Sequence, residues 1–164
     1  MKSFRRLLLP TAFLLTAVCA TPAFASHKNS FFAFLDGFQE VPSVLTDGAG
    51  FFHAKVNKDG SIDFRLRLAN LSAPPLAAHI HFGQKSVNGS VMITLCGGPP
   101  PAIVAACSED VSGTISADFV RDTSSQGVAA GNFEGALRAL RSGNTYVNVH
   151  TSNFTGGEVR GQVK

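Results

Sequence analysis

Charge is scarce in this sequence. Charged residues make up 15% of the 164 positions, which excludes the compositions typical of coiled coils and of long disordered chains. The formal net charge of +3 comes from Lys2, Arg5 and Arg6, because residues 26–164 hold 11 basic and 11 acidic residues. A chain with equal numbers of basic and acidic residues has no net electrostatic attraction to phosphates, so we expect no nucleic-acid partner.

Long apolar runs are absent beyond the N-terminus. There, basic residues precede an apolar stretch over 7–18, and Ala23 and Ala25 follow with the spacing that signal peptidase reads. We therefore predict a cleaved signal peptide over residues 1–25, a single domain over 26–164 without a membrane span, and a secreted or periplasmic location. Lipid attachment at Cys19 is a second interpretation, which the bulky Val18 disfavours. An uncleaved anchor is a third, which the shortness of the apolar run disfavours.

Cysteine is rare, and removal of Cys19 with a signal peptide leaves Cys96 and Cys107. These two bracket the segment GGPPP over 97–101, which cannot form a regular element. In an oxidising compartment, a lone pair this close in sequence favours a disulfide. A metal role for the pair is the alternative, and the lack of a Cys-x-x-Cys spacing disfavours it.

Catalytic signatures are also missing. The sequence contains no G-x-S-x-G, H-E-x-x-H or G-x-G-x-x-G motif and no phosphate-binding glycine loop. Its carboxylates are scattered, so no glycosidase-like pair stands out. We therefore name no catalytic residue and favour a binding protein over an enzyme.

Alternation of apolar and polar residues dominates what is present. Residues 52–56 and 62–68 alternate on either side of the turn NKDG at 57–60, which predicts a hairpin with one apolar face. Further strands are predicted at 31–35, 77–82, 90–95, 114–120, 145–151 and 158–163. Turn residues separate nearly all of them, so we predict an all-β fold, an antiparallel Greek-key-like sandwich or barrel.

One segment has helical periodicity. Phe133, Leu137 and Leu140 recur at i, i+4 and i+7, Asn132 stands at the N-cap position, and Gly143 can end the helix. We predict one short helix over about 133–142, near the C-terminal end, packed across one end of the sheets.

Histidine placement indicates a metal site. Alternation in the strand around 77–82 puts His79 and His81 on one face, outward, and the same reasoning sends His150 outward from a later strand. Imidazole suits copper and zinc, and binding should weaken as pH falls through about 6.5, where imidazole protonates. His53 is a weaker fourth candidate. The alternative is that these are ordinary polar residues hydrogen-bonded on a strand surface.

Several motifs together resemble the chordin-type domain, abbreviated CHRD. They are LDGFQEVP at 35–42, AHIHFG at 78–83, YVNVHT at 146–151 and GGEVRGQ at 156–162. The similarity runs from about Phe31 to Lys164, in the same order as in the family. Ser43 and Thr155 depart from frequent prolines, both in turns. The resemblance implies an extracellular or periplasmic β-rich module.

The strand around His79 and His81 is also similar to the copper-ligand strand of copper–zinc superoxide dismutases. The similarity implies that His150 matches a later copper ligand and that Arg160 matches an anion-guiding arginine. No histidines follow Gly83 where the bridging and zinc ligands should lie, so it implies copper without a zinc site. A structural interpretation of Glu158 and Arg160 is a stabilising ion pair, since they are i, i+2 neighbours on one strand face.

These observations predict an exported CHRD-type binding module whose histidine cluster holds copper and whose partner is a metal or an unidentified protein. Two alternatives stay open. One is a copper-dependent oxidoreductase of dismutase type that uses Arg160. The other is a purely structural envelope or matrix protein.

Overall fold

The structure, a computed structural model, describes residues 28–164. The signal peptide predicted over residues 1–25 lies outside the described residues. The described residues form nine strands and one α-helix: β1 Ser30–Asp36, β2 Ala49–Val56, β3 Ile62–Ala69, β4 Pro75–Phe82, β5 Ser90–Gly97, β6 Ala102–Val104, β7 Asp110–Ile115, α1 Phe133–Arg141, β8 Thr145–Thr151 and β9 Val159–Gln162.

All nine strands belong to one sheet, in the order β6-β5-β4-β8-β9-β1-β2-β3-β7. The two end strands, β6 and β7, contact each other, so the sheet curves into a nearly closed barrel. Every pairing is antiparallel except that of β5 with β6, which is parallel. The predicted all-β class with one short helix is confirmed, and the antiparallel prediction is corrected only at β6.

The barrel interior is filled by alternate residues of the strands. In β3, Ile62, Phe64, Leu66 and Leu68 are buried while their neighbours are exposed. Alternation of this kind places one face of each strand in the core and leaves the other free for polar side chains. The fully buried side chains include Phe31, Phe52, Ile62, Leu66, Ile80, Met92, Ile93, Leu95, Ile115 and Leu140.

Two strand predictions need correction. The strand predicted over 114–120 begins at Asp110 and ends at Ile115, followed by a 3-10 turn at Ala117–Phe119. Ile115 is paired with Ile62, the first residue of β3, so β3 offers no partner beyond this point. Val120 then pairs with Ile93 of β5, but only as an isolated bridge. β6 was not predicted, because three residues within a proline-rich loop carry no periodicity.

The helix prediction is confirmed to within one residue. The Asn132 side chain accepts a hydrogen bond from the Gly135 N–H at 2.9 Å and caps the first turn. Leu137 and Leu140 are buried against the barrel, and Gly143 follows the helix with φ +74°. Among residues 28–164, no helix is long and apolar enough to cross a membrane.

A disulfide lies where the two ends of the sheet meet. It joins Cys96, in β5, to Cys107, which follows β6. In β7, a Cβ at Gly113 would come within 2.7 Å of Ile103 Cγ2. Gly113 therefore lets β6 lie directly against β7, and the disulfide holds the chain around β6 in place.

Candidate metal centre

Neighbouring strands β4 and β8 bring three histidines together on the outer face of the barrel. His79 and His81 lie two residues apart in β4. His150 in β8 is paired with Ala77, which makes it the diagonal neighbour of His79. One ring nitrogen from each imidazole lies within 4.8 Å of the other two. The outer face here is half-buried rather than open, contrary to the sequence expectation.

Backbone carbonyls determine which nitrogens carry protons. His81 Nδ1 lies 2.9 Å from the Gly89 carbonyl oxygen, and His150 Nδ1 lies 2.9 Å from that of Thr155. A carbonyl oxygen only accepts hydrogen bonds, so both Nδ1 atoms donate. In the neutral rings, the Nε2 atoms of His81 and His150 are therefore unprotonated, and each carries a lone pair.

The two lone pairs have different surroundings. His150 Nε2 lies 3.0 Å from His79 Nδ1, so His79 donates to it. His81 Nε2 is buried and has no hydrogen-bond partner among the described residues. A buried acceptor without a partner costs about 1–3 kcal/mol. A metal ion shared by the three rings would remove this cost.

Burial keeps the imidazoles uncharged. It lowers the pKa of His79 to about 4, with further lowering by the neighbouring histidines and Arg121. Burial also lowers the pKa of His81 to about 4, and the charges of His150 and Arg160 lower it further. The hydrogen bond to the Gly89 carbonyl acts in the opposite direction but is outweighed. Burial lowers the pKa of His150 as well. All three are therefore neutral near pH 7, the form that binds metals.

Tyr146 connects His81 to Arg160. Its ring is nearly parallel to the His81 ring, at 8° and 4.7 Å between centroids. The Arg160 guanidinium carbon lies 3.4 Å from the Tyr146 centroid. Arg160 is 2% exposed and donates hydrogen bonds to the Asn88 side chain and to the carbonyls of Gln84 and Val87. Such a buried, engaged side chain does not fit the anion-guiding role implied by the dismutase resemblance.

Glu158 and Arg160 do not form the predicted ion pair. The Glu158 carboxylate accepts hydrogen bonds from the hydroxyls of Thr46, Ser72 and Thr151. Burial opposes its ionisation, but these bonds and one from the Ser72 N–H hold its pKa below the ordinary value. The prediction is corrected because the two side chains bond to different partners, Glu158 to these hydroxyls and Arg160 to the segment 84–88. Among the described residues, the salt bridge present joins Arg65 to Asp110.

His53 does not join the cluster. It is exposed on β2, where its Nε2 lies 3.2 Å from Ser30 Oγ. Strands β9 and β1 lie between β8 and β2 in the sheet. The weaker fourth candidate is thus separated from the other three by the order of the strands.

Sequence reasoning missed a buried polar pair beside the cluster. The Asn148 side-chain amide donates to Glu40 Oε1 at 2.5 Å, and Asn148 is paired with His79 across the sheet. Burial raises the pKa of Glu40 to about 7, although Arg160 and Asn148 act in the opposite direction. A Cβ at Gly157 would lie 2.6 Å from Glu40 Oε1, so only glycine leaves room for the pair. The available signal was that Glu40, Asn148 and Gly157 all stand in the motifs carrying the CHRD resemblance.

The fold and this site define a class: small β-barrel domains with a disulfide and a half-buried histidine cluster on one outer face. The family model described as CHRD domain matches residues 31–163. The chain therefore belongs to the CHRD domain family and is a binding module of that family. Comparison with curated proteins and with solved structures found no match. The disulfide fits a location outside the cytoplasm.

Proposed function

We propose that this protein is an exported copper-binding module in which His79, His81 and His150 hold the metal. The observation that carries the proposal is the buried, unpartnered Nε2 of His81, on a ring that has one nitrogen within 4.8 Å of nitrogens from two other neutral imidazoles. Unpartnered buried acceptors are rare in native proteins, and each needs a physical explanation. A bound cation supplies one.

The surroundings of the rings match those of metal-binding histidines. Such histidines donate their second ring N–H to a carbonyl or carboxylate, which fixes the tautomer and aims the free lone pair. His81 and His150 both do so, through Gly89 and Thr155. A cluster made only of imidazole favours copper and zinc over magnesium and calcium, and copper heads the affinity order for such ligands.

Export is part of the same proposal. It is supported by the signal peptide predicted over residues 1–25 and by the Cys96–Cys107 disulfide, since disulfides persist in oxidising compartments. The proposed location is secreted or periplasmic. A protein there meets metal ions without competition from the cytoplasmic thiol pool.

Calorimetric titration of the tag-free mature protein tests the proposal, with copper, zinc, magnesium and calcium in separate runs. We expect one copper ion per chain and no saturable binding of magnesium or calcium. The changes His79→Ala, His81→Ala and His150→Ala should each weaken copper binding at least about tenfold, whereas the matched control His53→Ala should leave it unchanged. Equal affinity in all four variants would make the histidines ordinary polar residues and favour a purely structural protein.

The pH dependence of binding provides a second readout. Sequence alone predicts weakening near pH 6.5, but the lowered pKa values of His79 and His81 move the expected loss towards about pH 4. We do not propose a dismutase, because Arg160 is buried and bonded to its neighbours. A superoxide assay on the copper-loaded protein is expected to give no more activity than the His81→Ala variant.

A further inference from the structure

We infer that the histidine cluster prefers monovalent copper, Cu(I), to Cu(II) and to divalent zinc. The inference rests on the proposed function, because it takes His79, His81 and His150 as the ligands. It adds the oxidation state of the metal that the site is built to hold. Three independent features of the site support it: the charge of its donors, their number and the cationic side chains around them.

The donors carry no negative charge. All three members of the cluster are neutral imidazoles, and among the described residues no carboxylate or thiolate belongs to it. A half-buried cation with neutral ligands keeps its whole charge within a poorly solvated site. That cost rises steeply with the charge of the ion, so a monovalent ion is buried at much lower cost than a divalent one.

The number of donors also favours Cu(I). Cu(II) prefers a tetragonal arrangement with at least four ligands, whereas the filled d shell of Cu(I) is satisfied by three. The buried carboxyl groups of Glu40 and Glu158 are already bonded, Glu40 to the Asn148 amide and Glu158 to three hydroxyls. The buried Thr94, paired with His79 across β4 and β5, offers only a neutral hydroxyl.

Two cationic side chains, Arg160 and Arg121, lie close to the cluster. Arg160 lies over Tyr146, which stacks on His81. Arg121 is fixed by hydrogen bonds of 3.2 Å to the carbonyls of Pro99 and Pro100. Pro99 follows Gly98, where a Cβ would lie 3.5 Å from His79 Nε2, so Arg121 is held near His79. Its charge opposes positive charge on His79, as that of Arg160 does on His81. The same repulsion acts on a bound metal in proportion to its charge, and so it is twice as large for a divalent ion.

Anaerobic competition with bicinchoninate measures Cu(I) affinity, and calorimetry measures Cu(II) and zinc affinities of the same protein. We expect the Cu(I) dissociation constant to be at least about tenfold below those of both divalent ions. His81→Ala should weaken Cu(I) and Cu(II) binding alike. Cu(II) or zinc bound as tightly as Cu(I), yet lost in His81→Ala, would overturn the inference and leave the proposed function intact. If His81→Ala changes the affinity for neither Cu(I) nor Cu(II), the proposed function itself is overturned.

Arg121→Gln tests the electrostatic part, with Arg138→Gln on the exposed face of α1 as the matched control. Removing one charge near His79 should tighten Cu(II) relative to Cu(I) by about threefold or more, and the control should leave the ratio at its wild-type value. An unchanged ratio in a folded Arg121→Gln protein would contradict the role of Arg121. If that variant does not fold, the wild-type affinities decide the inference on their own.

Discussion

Burial favours the uncharged form of several side chains on and beside β4 and β8. It lowers the pKa of the buried bases and raises the pKa of the buried acid. The pKa of His79 and His81 falls to about 4, whereas that of Glu40 rises to about 7. Near neutral pH, the face around the histidine cluster thus carries less charge than its residue types imply. The free energy of unfolding of the apoprotein should therefore change with pH as these groups titrate.

His81 should make the apoprotein less stable in acid. Its pKa is about 4 in the folded state against an ordinary 6.5, so the unfolded chain takes up a proton first as pH falls. The stabilisation is complete above pH 6.5 and is lost as pH falls to about 4. Urea unfolding at pH 7 and pH 4 should show the wild type losing about 1–3 kcal/mol more than His81→Gln. Equal losses would mean that His81 titrates normally.

Glu40 should act in the opposite direction. Its folded pKa of about 7 lies above the ordinary 4.5, so its contribution is present below pH 4.5 and is lost as pH rises through 7. Glu40→Gln keeps an oxygen to accept the Asn148 hydrogen bond and removes the titration. Between pH 5 and pH 8.5, the variant should gain about 1–3 kcal/mol relative to the wild type in urea unfolding. Parallel pH profiles would rule out the raised pKa.

At the scale of elements, local periodicity predicted much of the fold. The β2–β3 hairpin, the helix α1 and the strand Thr145–Thr151 follow from residues close together in sequence. The end of β7 and the existence of β6 depend on partners far away in the chain, which periodicity does not report. The same holds at the site. Alternation predicted the shared face of His79 and His81, but the contact with His150 needed the pairing of β4 with β8.

The β2–β3 hairpin allows a direct test of which side chains of β3 point into the core. Leu66 in β3 is fully buried, and its neighbour Arg67 is exposed. Leu66→Ala should cost about 2–5 kcal/mol of unfolding free energy, because it leaves a cavity in the barrel core. Arg67→Ala should stay within about 0.5 kcal/mol. Chemical denaturation of both variants checks this, and the reverse order would mean that the register of β3 is wrong.

At the scale of the whole molecule, the Cys96–Cys107 disulfide should contribute substantially to stability. It closes a short loop, with a sequence separation of 11 residues, at the meeting point of β5, β6 and β7. Replacing both cysteines by serine should cost about 3 kcal/mol, by the loop-entropy relation. Intact mass measured without reduction should be two hydrogens below the free-thiol value (about 2 Da). Quantitative alkylation of both cysteines in the unreduced protein would contradict the assignment.

The contact between β6 and β7 also bears on how the protein behaves at high concentration. An open sheet has two edges whose unpaired N–H and C=O groups can recruit strands from other chains, the first step of aggregation. Here one edge strand is three residues long, and it lies against the other edge at Gly113. Each edge therefore shields the other. A β-rich chain with no net charge over residues 26–164 lacks mutual repulsion, so the shielding of the edges is what opposes association of copies through strand pairing.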